Sequence, residues 1–213
     1  MNITRAATGM LAAAFLATSA GAQDASQTPA IPEAPDFSTD MVSRIDYNGH
    51  IVDMQSKMFK GKDKVRVETQ VHTAQGTTNG VSITRMDKGV IWIILPQQKS
   101  YMEMKLKPAD IAKYKEISAA GEGRGKFIDT LKVDGKQADR YDIAKASCKG
   151  YSYFQTGTML PMKIDLDCGA KHTITDFRNM KVAAQPQSLF EVPAGYKLLN
   201  APGKPQMPSQ VQQ

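Results

Sequence analysis

Cys148 and Cys168 are the only thiols of the chain, and their separation sets their chemistry. Redox and metal sites place cysteines a few residues apart, as in Cys-x-x-Cys. Here the whole segment Lys149–Asp167 intervenes, and its centre, Thr156-Gly-Thr158, has turn chemistry. A hairpin folded about residue 158 sets Cys148 opposite Cys168. It also gathers Ser152, Phe154, Met162, Ile164 and Leu166 on the same face. The register and the cross-link agree, so the pair is read as a structural disulfide.

The remaining candidates for chemistry do not converge. His50, His72 and His172 are far apart in sequence, and none has a second histidine at ligand spacing, so no metal site is expected. Gly121-Glu-Gly-Arg-Gly125 has the composition of a phosphate loop, yet it follows a helical pattern where such a loop should follow a strand and open a helix. It reads as a helix stop. No Gly-x-Ser-x-Gly elbow is present, and no Ser or Cys has a base partner nearby. Neither a catalytic residue nor a cofactor is expected, and the chain is read as non-enzymatic. Methionine is the more suggestive residue. Met54 and Met58 share one strand face, Met102 and Met104 another, and Met159 and Met162 flank a turn. Thioether side chains fill ordinary cores, and they also line pockets that accept apolar ligands of varying shape.

The elements that must position these residues are mostly strands. Val65-Arg-Val-Glu-Thr-Gln-Val-His72 alternates, with the odd positions toward a core and Arg66, Glu68, Gln70 and His72 toward water. Asn48-Gly49 favours a two-residue hairpin turn joining Met41–Tyr47 to His50–Phe59. Further turns fall at Lys60–Asp63, Asp87–Gly89, Pro96–Lys99 and Asp134–Gly135, which describes an antiparallel meander. One helix is expected over Pro108–Ala120, with Pro near its start, Asp110 in the first turn and Gly121 as the stop. Its apolar stripe is Ile111, Tyr114 and Ile117.

Closing the hairpin at Gln97-Gln98 puts Ile91, Ile93 and Leu95 opposite Met104, Met102 and Ser100, on an aliphatic face. The other face, Val90, Trp92 and Ile94 against Lys105, Glu103 and Tyr101, is mixed. These residues alone fit a filled core as well as a cavity.

The ends of the chain read differently. Arg5, the apolar run Met10–Ala17 and the small residues Ala20-Gly-Ala22 make residues 1–22 a secretory signal peptide. Cleavage there takes one positive charge from the net +6, and no cysteine follows for a lipid anchor. The mature protein is expected to be soluble in the periplasm, or secreted. The proline-rich segment 23–36 reads as a linker, 37–199 as one domain and 200–213 as an unstructured tail. The lysines are scattered, without the like-charge runs of a nucleic-acid arm, although they could assist a transient contact with a membrane surface.

Phe37-Ser-Thr-Asp-Met41, Lys57-Met-Phe-Lys-Gly-Lys-Asp-Lys-Val-Arg66, Val90–Glu103 and Leu189-Phe-Glu-Val-Pro-Ala-Gly-Tyr196 together carry a resemblance over residues 37–198. The chain resembles an exported bacterial family of unknown function, related in fold to the periplasmic lipoprotein carriers (LolA/LolB-like) and their outer-membrane acceptors. Its Lys57–Arg66 stretch departs from that family's spacing around Gly61 and Asp63. The resemblance implies a mainly β fold, an antiparallel, incompletely closed barrel whose mouth is covered by a helical lid. In such a half-barrel Ile91, Ile93, Leu95, Met102 and Met104 would line a hydrophobic cavity beneath Ile111, Tyr114 and Ile117. The expected occupant is a lipid, a lipoprotein acyl chain or another hydrophobic ligand. The alternative is an envelope protein, bound on the concave face by an interaction or stress-sensing module.

Overall fold

The computed structural model describes residues 34–73, 76–111, 125–145 and 148–199. Its strands are β1 Phe37–Tyr47, β2 His50–Gly61, β3 Lys64–Thr73, β4 Gly76–Arg85, β5 Val90–Leu95 and β6 Ser100–Lys105. They continue with β7 Phe127–Val133, β8 Lys136–Lys145, β9 Cys148–Gln155, β10 Pro161–Cys168, β11 Lys171–Val182 and β12 Lys197–Leu198. All belong to one sheet of order β12-β6-β5-β4-β3-β2-β1-β11-β10-β9-β8-β7. The terminal strands β12 and β7 do not pair with each other, so the sheet is an incompletely closed barrel. Pairing is antiparallel except where β12 runs parallel to β6.

Local chemistry explains most of the hairpins. Asn48 and Gly49 both take positive φ, 51° and 86°, the left-handed geometry that matches the twist of β1 and β2. The Asp46 carboxylate accepts the Gly49 N–H at 2.7 Å and fixes that turn. Asp134 and Gly135, at 48° and 77°, repeat the arrangement between β7 and β8. Both observed strands at the first hairpin are longer than the sequence reading, β1 beginning at Phe37 and β2 ending at Gly61. Bulges interrupt β1 against β11 between Ser38 and Asp40, and β10 against β9 between Pro161 and Lys163. Bulges of this kind bend a strand and raise its twist.

The expected helix begins as placed. Residues 108–111 are helical, with the Ile111 N–H donating to the Lys107 carbonyl at 3.0 Å. Tyr114 and Ile117, the rest of its apolar stripe, lie outside the described residues.

The pairing places Ile83, Trp92 and Glu103 in one cross-strand row and Val81, Ile94 and Tyr101 in the next, which defines the Trp92 face of the sheet. Here sits a core cluster of Ile83, Val90, Trp92, Ile94 and Phe190. Phe190 is only 1% exposed, and it comes from the far end of the chain. A 3₁₀ turn, Gln187–Phe190, delivers it, and the chain then turns at Pro193–Tyr196 before β12 joins the sheet edge.

Candidate functional site

The opposite face, here the Met58 face, is assembled by the same register. Phe37, Lys60, Val65, Thr84, Ile91 and Met104 form one cross-strand row. Thr39, Met58, Val67, Ser82, Ile93 and Met102 form the next. Farther round, Ser43, Thr175, Ile164, Ser152, Tyr141 and Phe127 make a third. Directly opposed residues share a face, so these rows are contiguous strips of one surface.

Most of the apolar residues in these strips are neither sealed nor free. Met58, Val65, Val67, Ile91, Ile93, Met102, Met104 and Ile164 are half-buried, whereas Phe37 and Phe154 are buried. The predicted cavity residues Ile91, Ile93, Leu95, Met102 and Met104 therefore come together on one face in the expected register, with intermediate exposure. The deepest burial in that hairpin is on the mixed face, at Trp92 and Ile94. Ile111 lies by the β4–β5 turn, its Cδ1 3.3 Å from the position a Cβ on Gly89 would occupy, and Gly89 has φ of 66°. A side chain there would be strained and crowded.

A pocket of about 80 Å³ shows how this face is shaped. Met58 and Val65 line it from β2 and β3, and Phe154, Ile164 and Phe177 from β9, β10 and β11. Strands β3 and β9 are five steps apart in the sheet. On a flat sheet that is roughly 24 Å, at about 4.8 Å per step. Residues so far apart can share a small pocket only if the sheet curls with the Met58 face inward. Edge-to-face ring contacts continue the lining outward, Phe154 to Tyr141 at 5.9 Å and Tyr141 to Phe127 at 5.7 Å.

The polar groups on this face are mostly serine and threonine hydroxyls. Thr39 is 1% exposed, and its hydroxyl donates to the Arg178 carbonyl at 2.8 Å. Ser43 and Thr175 hydrogen-bond each other at 2.8 Å. Lys60, 7% exposed, lines the pocket and donates from Nζ to the Ala34 carbonyl at 3.0 Å. Cys148 and Cys168 form a disulfide, and the β9–β10 register next to it, Lys149 with Asp167, is the predicted one. That register holds as far as Tyr153 with Lys163 and then shifts at the bulge.

On the Trp92 face the polar chemistry is different. Arg85, 5% exposed, donates to Asp87 at 2.6 Å, to Glu191 and to the Phe190 carbonyl at 3.0 Å. Its hydrogen bond to Asp87 is the main cause of a raised guanidinium pKa, against the opposing effect of burial. The hydrogen bond from Arg85 holds the Asp87 carboxyl below its ordinary range. At Glu191 burial pushes the pKa up, but hydrogen bonds from Lys88 and Arg85 outweigh it and the net shift is downward. Arg66, expected to face water, instead donates to the Leu189 carbonyl at 3.0 Å and to Glu68 at 2.7 Å. Arg85 and Arg66 thus fasten the segment that carries Phe190.

A larger hollow, about 450 Å³, lies farther along, among Asp40, Gln55, Lys57, Glu68, Gln70, Arg178 and Asn179. Its groups carry both signs of charge and partly satisfy each other, as in the 2.7 Å bond from Asn179 to Asp40. Met41 and Val42 also line it, but polar and charged residues outnumber them, so volume alone does not make it the better site. His172 lies 2.8 Å from Asp165 on the exposed surface. Among the described residues no three His, Cys, Asp or Glu side chains are grouped to hold a metal ion.

No protein-family model matches the chain, and no curated protein matches it in sequence. Among solved structures it is similar to a LolA superfamily protein from Nitrosomonas europaea, at 11% identity and TM-score 0.44, over 76% of this chain and 92% of that one. It is also similar to a DUF1329 family protein from Desulfovibrio piger, at 10% identity and TM-score 0.40, over 76% and 91%. A β-barrel-like protein of the DUF1849 family from Brucella abortus gives 9% identity and TM-score 0.40, over 71% and 99%. Likeness at these values is one of general architecture and passes no ligand or activity to this chain.

Proposed function

We propose that this chain is an exported, non-enzymatic protein that holds a hydrophobic ligand, a lipid or acyl chain, on the Met58 face. The observation that supports it is the apolar pocket walled by Met58, Val65, Phe154, Ile164 and Phe177, on the face that also carries half-buried Ile91, Ile93, Met102 and Met104. Burial supplies the driving force, about 0.8 kcal/mol for each methylene removed from water. Methionines let one surface fit chains of different shape.

A neutral probe tests this reading without invoking charge. A pyrene-bearing fatty alcohol should show saturable binding to the purified protein, reduced at least tenfold by Met58→Trp, which fills the pocket. Circular dichroism reports whether that variant keeps its fold. Absence of saturable uptake by wild type would remove the proposal.

Export is part of the same proposal. A disulfide such as Cys148–Cys168 persists in an oxidising compartment. Amino-terminal sequencing of material recovered from a periplasmic fraction should begin at Gln23, and a start at Met1 would contradict it.

One observation favours a protein partner instead. Strand β7 ends the sheet, and its Phe127 and Ile128 are 49% and 43% exposed, which suits addition of a partner strand. That reading predicts a stoichiometric protein complex disrupted by Phe127→Asp, with no effect of Met58→Trp.

A further inference from the structure

Lys60 is an unusual residue to find in the wall of an apolar pocket. It stands on the Met58 face beside Phe37 and Val65, in a lining that also includes Met58, Phe154, Ile164 and Phe177. Its side chain is long enough to reach water from most strand positions, yet the residue is 93% buried, its exposure being 7%. An ammonium carries three donors. Among the described residues this one has a single hydrogen bond, to the Ala34 carbonyl, and no ion pair. A carbonyl is a neutral partner, and an ammonium removed from water is costly unless a countercharge accompanies it. Among the described residues the site therefore has an apolar wall, a positive charge beside it and no negative charge to pair with it.

We propose that Lys60 pairs with the headgroup of the ligand, and that the ligand is a single-chain amphiphile bearing a carboxylate, a free fatty acid. This rests on the reading of the Met58 face as a hydrophobic-ligand site, and it names the class of ligand. The carboxylate accepts from the Lys60 ammonium, supplying a countercharge that the described residues do not. The pocket, at about 80 Å³, has room for several water-sized groups. That suits a carboxylate and its first methylenes and is too little for a glycerophosphate headgroup. The rest of the chain lies along the half-buried strip through Val67, Ile93 and Met102, beyond the pocket.

The competing account is that Lys60 only ties down the chain at Ala34. The two accounts separate in a comparison of ligands. Palmitate, methyl palmitate and a palmitoyl lysophosphatidate are titrated into wild type, Lys60→Met and Lys60→Arg at neutral pH, with folding followed by circular dichroism. Palmitate should bind wild type at least tenfold tighter than methyl palmitate and tighter than the lysophosphatidate. The preference over the ester should vanish in Lys60→Met and survive in Lys60→Arg. If acid and ester bind wild type equally, or the lysophosphatidate binds tightest, the carboxylate assignment is wrong while the hydrophobic-ligand reading stands. If none of the three binds, that underlying reading falls as well. A Lys60→Met protein that loses stability but keeps the full acid-over-ester preference makes Lys60 a structural tie. Should Lys60→Met fail to fold, palmitate labelled with ¹³C at the carboxyl decides in wild type. Bound to the ammonium, it stays ionised to lower pH than the free acid in micelles. The same titration point bound and free would overturn the pairing.

Discussion

Trp92 and Ile93 are neighbours on β5, and their side chains meet opposite fates. Trp92 is 8% exposed, in a cluster closed by Phe190 from a segment pinned by Arg66 and Arg85. Ile93 is half-buried, in a strip that curls round a pocket. One face of the sheet is finished by the chain's own carboxyl-terminal segment, with aromatic packing and an ionic latch. The other carries methionines, aliphatic residues, hydroxyls and the buried Lys60, without a comparable plug among the described residues. The contrast separates two tasks on shared strands. In the proposed reading the Trp92 face supplies stability and the Met58 face accepts a ligand.

That division predicts where substitutions will be felt. The largest effect should come from Phe190→Ala, which empties the sealed cluster. Loss of a buried Phe costs about 3–5 kcal/mol, read as a lower midpoint in urea unfolding, while the folded fraction should bind the pyrene probe as before. Removing the Cys148–Cys168 cross-link, by reduction or by replacing both with Ser, should cost about 3 kcal/mol for a loop of this length. The neighbours on β5 sharpen the comparison. Ile94→Ala, at a position 2% exposed, should cost about 2–5 kcal/mol. Ile93→Ala should cost less than half of that and yet weaken probe binding more. If the two variants lose stability equally and bind equally, the faces are not specialised.

The smallest effect is that of acid. Asp87 and Glu191 have depressed carboxyl pKa values in the folded protein. Their contribution is therefore complete above the unfolded values, about 3.9 and 4.3, and is lost as pH falls through the lower folded ones. Thermal midpoints should drop between pH 4 and pH 2 more steeply in wild type than in an Asp87→Asn, Glu191→Gln double variant. Parallel curves would mean that the latch contributes nothing.

The legible parts of the fold were the local ones. Asn48-Gly49 and Asp134-Gly135 announce their hairpins because the turn type demands those residues, and the cysteine spacing fixes the β9–β10 register near the bridge. The Ile91–Met104 strip was likewise recoverable from the hairpin at Pro96–Lys99. Which face of β5 would be sealed was not, because Val90–Leu95 is apolar on both sides and the plug comes from Phe190, far along the chain. Two-sided apolarity in a strand of an antiparallel sheet does signal coverage on both faces, and it could have prompted a search for a second cover. Arg66 alternates as a solvent-facing residue should, whereas Arg85 falls in phase with Val81 and Ile83, and only tertiary contact reveals that both hold the carboxyl-terminal segment. Lys60 sits beside a turn, where lysine is ordinarily a surface residue, so nothing local marks its burial. The β1–β11 pairing that unites the two halves of the sheet also has no local signature.

The central claim, that the Met58 face holds a hydrophobic ligand, is tested most directly by native mass spectrometry on protein gently purified from an exporting bacterium. Wild type should carry a bound small molecule that collisional activation releases intact as an amphiphile, and folded Met58→Trp should arrive without it. Wild type found bare, with no saturable uptake when the pyrene probe is supplied, would contradict the account.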